Sequence, residues 1–142
     1  MATFTLFHEA IYNILNGAID LDSHTHKAVL TNSAPTAATD DELADITQIT
    51  QQNGYTTGGV TLSSVTLTET GAGTGIWQWT AADFSWSASG GDFGPFRYIV
   101  IYSDTSTGDK LVGYLDYGSA ISITNGNSFT VDIGASGILR AQ

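Results

Sequence analysis

Apolar residues near the start of the chain recur at spacings of three and four: Phe7, Ala10, Ile11, Ile14 and Leu15. That spacing puts them on one stripe of a helix over about residues 4–16, with Thr3 or Thr5 as its cap and Gly17 as its stop. Such a stripe, Ile11 included, needs burial against the rest of the domain or against a neighbouring subunit. From Ala18 to Ser33 the pattern shortens to a β-like alternation, ending at the turn-forming Asn32-Ser33-Ala34-Pro35. The polar run from Ala34 to Gln52 reads as an exposed connection, although Asp40-Asp41-Glu42-Leu43-Ala44-Asp45 has the makings of one helical turn. It is the segment expected to be mobile or to bind a partner.

The remaining chain alternates like a series of strands. Val60 and Leu62 share one phase and Val65 and Leu67 the other, so a one-residue slip lies between them, most simply a β-bulge near Ser63-Ser64. Gly71 to Gly75 makes a flexible turn before Ile76 to Thr80 and then Phe84 to Trp86, and Gly90-Gly91 and Gly94-Pro95 bound the next connection. Phe96, Tyr98, Val100 and Tyr102 then occupy one strand face while Ile99 and Ile101 occupy the other, the pattern of a central strand. Lys110 to Tyr117 forms another strand, followed by a hairpin around Thr124-Asn125-Gly126-Asn127. An odd loop of three residues there sets Ile121 or Ile123 opposite Phe129 and joins them to the face of Val131 and Ile133. Six to eight short strands after one N-terminal helix predict a mainly β fold. It is an antiparallel two-sheet β-sandwich, jelly-roll-like, in a single domain over residues 1–142.

Composition narrows the function. A chain of 142 residues that is 42% hydrophobic can bury its own core. It contains no cysteine, which removes disulfides, thiolate nucleophiles and cysteine-ligated metals. Fourteen acidic residues against Lys27, Arg97, Lys110 and Arg140 give a net charge of −10. That charge repels phosphate backbones and anionic membranes over a screening length of ~8 Å, so no nucleic-acid partner is expected. It also favours solubility at high concentration. The opening residues carry no positive start and are interrupted by His8, Glu9, Tyr12 and Asn13, unlike a signal peptide. No stretch is long enough to span a bilayer, so no membrane partner is expected.

Candidate chemistry is sparse. Gly71-Ala72-Gly73-Thr74-Gly75 lacks the lysine of one phosphate cradle and the following helix of the other, and reads as a hairpin tip. His24 and His26 alternate along one predicted strand and share a face with Asp20 and Asp22, a row that could offer metal ligands. A solvated strand face explains the same alternation, so no metal is assigned. His8 belongs to the helix surface. Asp83, Asp92, Asp104, Asp109, Asp116 and Asp132 lie mostly at turns, where carboxylates accept backbone hydrogen bonds, and no pair is assigned to glycoside hydrolysis. Asp22-Ser23-His24 is no triad, because strand neighbours point to opposite faces. Trp77 and Trp79 share a strand face, with Trp86 and Tyr55 nearby in sequence, and such a row could stack sugar rings or fill a core; the core reading is preferred. No catalytic, cofactor-binding or metal-binding residue is assigned, and no enzyme activity is expected.

Several segments together resemble a family of small virion structural proteins of tailed bacteriophages and prophages. They are the Phe4 to Asn16 helix ending at Gly17, Ile19-Asp20-Leu21-Asp22 leading into Lys27-Ala28-Val29-Leu30-Thr31-Asn32-Ser33, and Asn53-Gly54-Tyr55-Thr56-Thr57-Gly58-Gly59-Val60-Thr61-Leu62. Phe96-Arg97-Tyr98-Ile99-Val100-Ile101-Tyr102, Leu111-Val112-Gly113-Tyr114-Leu115-Asp116-Tyr117-Gly118 and Gly137-Ile138-Leu139-Arg140 complete the set, which runs over nearly the whole chain. The resemblance implies a capsid decoration or cement protein on the outer head lattice. Its partners would be the major capsid protein and further copies of itself, as a homotrimer, in a virion assembled in the host cytoplasm. The alternative it implies is a tail or fibre component that recognises host carbohydrate through exposed aromatics. It transfers no catalytic residues.

Overall fold

A computed structural model describes residues 3–142. Strand β1 (Phe4–Leu6) precedes helix α1 (His8–Leu15). Then follow β2 (His26–Thr31), a 3-10 turn (Leu43–Asp45), β3 (Val60–Thr61), β4 (Thr66–Glu69), β5 (Trp77–Thr80) and β6 (Phe84–Ser87). The long strands β7 (Phe93–Ser103) and β8 (Leu111–Ile123) lead to β9 (Ser128–Val131) and β10 (Leu139–Ala141). Five strands make one sheet in the order β1-β8-β7-β2-β3, and the opposing layer is split into β10-β5-β4 and β6-β9. All of these pairs are antiparallel. The fold is therefore mainly β with its helix near the N-terminus, as the pattern predicts.

Both faces of the large sheet are covered. On one side Ala28, Leu30, Ile99, Ile101 and Leu115 pack against Trp79, Phe84, Trp86 and Val131 of the opposing strands. On the other, Val29, Val100, Tyr102 and Leu111 lie under Phe7 and Ala10 of the helix region and under Ile46. β7 sits between β2 and β8, which is why it is apolar on both faces. Phe96 departs from simple alternation: register shifts on either side of it turn its ring into the inner core with Ile99 and Ile101 rather than outward with Val100.

The helix is shorter than its periodicity suggests. Phe4, Thr5 and Leu6 pair with Leu115, Tyr114 and Gly113, and the Phe4 ring occupies the space above Gly113, where a Cβ would fall 2.4 Å from it. Cross-strand bonds outweigh helical propensity there. Neither Thr3 nor Thr5 caps α1; Phe7 stands at the N-cap without a side-chain bond, and the His8 amide donates to Ala37 O at 2.9 Å. Gly17 does stop it, with φ +83° and its amide on Ile14 O. The stripe is also turned: Phe7, Ala10 and Asn13 are buried, whereas Ile11 and Leu15 face out.

Three further expectations are corrected. Residues 18–25 form turns rather than strand, with β2 starting only at His26. The phase slip at Ser63-Ser64 is a corner, not a bulge: β3 belongs to the large sheet, β4 to the opposing layer, and Ser64 takes φ +51° between them. β8 and β9 form no hairpin, because β9 pairs with β6, setting Phe129 opposite Trp86, while Ile121 and Ile123 pair with Phe96 and Phe93 of β7. In the Thr124–Asn127 turn only Gly126 of the two central residues has positive φ. That is the type II signature, and such turns splay the flanking strands instead of joining them.

The polar run after Pro35 is tied down. Ile46 is 8% exposed and Leu43 packs beside it over the outer face of the sheet. Gln48 bridges to Thr31, Glu42 to Lys110, and Lys110 Nζ bonds Asp41 and Glu42 at 2.5 and 2.8 Å.

Candidate functional site

The histidine row breaks up because the backbone before β2 is not a strand. Asp20 turns its carboxylate onto the Ser23 hydroxyl and the amides of Asp22 and Ser23, which hold its pKa down to about 2. Asp22 Oδ1 accepts the Leu67 amide. His24 Nδ1 accepts the Asp20 amide at 3.2 Å and lies 2.9 Å from Ser103 Oγ. Accepting an N–H fixes the proton on Nε2, so the serine hydroxyl donates. His26 points inward from β2, edge-on to Trp79 at 5.0 Å, and is 0% exposed. Neither of its ring nitrogens has a hydrogen-bond partner. Burial first, and the neighbouring His24 second, push its pKa down to about 4, so it is a neutral core ring. The two imidazoles lie 6.4 Å apart, but among the described residues no group of three His, Asp or Glu side chains is arranged to hold a metal ion.

The aromatic row breaks up for a different reason. Trp77 and Trp79 share one face of β5, yet Trp79 is 1% exposed and Trp77 is 47% exposed. Trp79 lies level with Leu67 and Leu139 on its neighbouring strands, inside the sandwich, whereas Trp77 lies level with Glu69 and Ala141, past its rim. Trp79 Nε1 donates to Leu21 O at 2.8 Å. Tyr55 and Trp86 are also buried. The Tyr55 hydroxyl accepts the Leu30 amide and donates to Gln48, and burial raises its pKa to about 12. Trp77 is therefore the only member of that row open to a ligand.

The aspartates serve the backbone. Asp83 accepts the Ile133 amide, Asp92 the Asn125 amide and Asp116 the Gly118 amide. Asp116 also takes a two-pronged bond from Arg97, which lowers its pKa, and Asp104 pairs with Lys27 at 3.2 Å. Asp109 occupies a turn at φ +51°. Gly71 to Gly75 is a hairpin tip whose Gly73 and Gly75 amides bond the Glu69 carboxylate, so its donors already have an anion.

Two surfaces were not foreseen from the pattern. The outward side of α1 carries Ile11 at 50%, Tyr12 at 62% and Leu15 at 83% exposure. An apolar cleft bordered by Ile99, Leu115, Tyr117 and Phe129 opens beside β9, with Tyr117 51% exposed. The helix face was legible in principle, since Tyr12 continues the apolar residues round the helix beyond what one contact can cover. In comparisons with known proteins the chain matches no family model, no curated protein and no solved structure.

Proposed function

We propose that this chain is a non-enzymatic structural protein of a tailed-phage virion, a decoration or cement protein on the outer surface of the head lattice. It would contact the major capsid protein and work as a homotrimer. The observation that carries the reading is the outward side of α1, where Ile11, Tyr12 and Leu15 stand uncovered on a helix that is otherwise held firmly. Its first amide is bonded to Ala37 and Asn13 Nδ2 bonds Asp41 at 3.0 Å, so the face is presented rigidly. Grouped large apolar side chains on a fixed surface mark protein contacts, and repeated weak contacts suit a symmetric lattice. The segments that resemble the virion family supply the strands β2, β7 and β8 that hold this helix in place. Antibody-gold labelling of purified particles tests the assignment: gold over heads is expected, and gold confined to tails, or none, contradicts it.

The tail reading draws on Trp77, whose half-exposed ring could stack on a sugar. It predicts that Trp77→Ala keeps its melting temperature and loses retention on host glycans. Unchanged retention removes it.

A further inference from the structure

The opposing layer covers the inner face of the large sheet but thins beside β9, where Tyr117 is left 51% exposed next to the buried Ile99 and Leu115. β9 pairs with β6 on one side, and no strand lies on its other side among the described residues. A cleft of about 220 Å³ opens there, lined by Ile99, Leu115 and Tyr117 of the large sheet and by Phe129, Thr130, Val131 and Asp132. No residue of β6 lines it, which places it along the unpaired side of β9.

The register shows which main-chain groups face this cleft. Opposed residues in an antiparallel pair alternate between exchanging both main-chain bonds and exchanging none. The Ala88 amide donates to Asn127 O at 2.8 Å, one step beyond the Ser87 and Ser128 pair. Trp86 with Phe129 and Phe84 with Val131 are then the bonded pairs. Ser128 and Thr130 consequently turn N–H and C=O away from β6, and among the described residues no main-chain group meets them. Phe129 and Val131 point inward beside an apolar floor.

We propose that this cleft accepts one extended segment of a partner protein, which adds to β9 as a strand and lays alternate apolar side chains against Tyr117 and Phe129. Free main-chain donors and acceptors call for an extended chain, and the apolar floor calls for side chains with the period of a strand. The volume falls below the ~300–1,000 Å³ typical of small-molecule sites, and suits a few aliphatic side chains. Charge selects among extended segments. Asp132 has no cationic partner among the described residues, and the chain carries −10 overall, so basic residues flanking the apolar ones are favoured. A second copy of this chain brings the same negative charge and is disfavoured. The inference stands apart from the particle assignment, since it concerns what binds this edge wherever the protein resides.

The test titrates the peptide Lys-Lys-Val-Thr-Val-Thr-Val-Thr-Lys-Lys into the nitrogen-15-labelled full chain. Main-chain bonds supply most of the affinity in strand addition, so a generic alternating sequence suffices. Expected are amide shifts confined to Ser128 to Asp132, Leu115 and Tyr117, with exchange of the Thr130 amide slowed at least about tenfold. Thr130→Pro removes an outward donor and no bond to β6, as proline at a sheet edge can, and should weaken binding at least about tenfold with the melting transition kept. Should that variant fail to fold, Tyr117→Lys, which sets a charge on the floor, should give the same loss. Shifts elsewhere, no shifts at millimolar peptide, or binding indifferent to whichever variant folds would overturn the proposal. So would concentration-dependent shifts of the same amides without peptide, which would assign the edge to a second copy.

Discussion

Among the histidines, only His26 is wholly enclosed, and its position ties stability to pH. Its ring faces Trp79, with the His24 ring 6.4 Å away and Asp20 the nearby acid that opposes the shift. The unfolded ring takes a proton near pH 6.5 but the folded ring only near 4. Stability present above pH 6.5 is therefore lost as pH falls through that window. A displacement of this size corresponds to about 3 kcal/mol. Between about pH 7 and about pH 4.5, urea unfolding should cost the native chain roughly 2–3 kcal/mol more stability than His26→Leu. Equal losses would show that burial does not hold the ring neutral. The tryptophans of β5 give a second test. Trp79→Ala should destabilise by roughly 3–5 kcal/mol, since it opens a cavity, and Trp77→Ala by about 1 kcal/mol or less. The reverse ranking in denaturant melts would contradict the depths described. That the two share a face was legible from their spacing; that one lies beyond the rim was not, because rim position depends on where the opposing sheet ends.

Helix α1 divides its apolar residues between two uses. Phe7 and Ala10 hold it to the sheet, whereas Ile11 and Leu15 are left outside. Phe7→Ala should cost roughly 3–5 kcal/mol, and Ile11→Ala about 1 kcal/mol or less while weakening self-association or particle binding. A large loss of melting temperature in Ile11→Ala with association intact would invert the account. The helix and its Gly17 stop could be read from periodicity, but its rotation is set by Asn13, drawn inward to Asp41, and by the strand pairing of Phe4 to Leu6. The segment from Thr36 to Gln52 is at least partly exposed except at Ile46, and its short 3-10 turn at Leu43–Asp45 falls within the run 40–45 that offers a helical turn. Its polar residues hide the recurrence of Leu43, Ile46 and Ile49 at every third position that ties it to the sheet. Lys110 anchors it, and its bonds to Asp41 and Glu42 raise its pKa. Lys110→Met should speed hydrogen exchange at the Ile46 and Ile49 amides, which bond Leu43 O and Leu30 O. Unchanged exchange would mean that packing alone holds the segment.

For the molecule as a whole, alternation and glycine-marked turns were enough to predict a mainly β antiparallel fold and the central place of β7. They could not predict the strand order. Phe129 satisfies an apolar face opposite Ile121 and opposite Trp86 alike, and the splayed turn at Gly126 carries β9 away from β8 to β6. The candidate sites were less legible still, since the metal row and the aromatic row both assumed that neighbours in sequence share a solvent boundary. What the fold leaves open is apolar: the outward side of α1 and the edge of β9. The central claim is that the outward side of α1 serves repeated protein contacts in a particle. Electron cryomicroscopy of the virion tests it most directly. The account predicts symmetry-related copies of this domain on the outer head lattice with Ile11, Tyr12 and Leu15 covered by a neighbouring chain. A particle without the domain, or one that carries it as an isolated copy with that face in solvent, would contradict it.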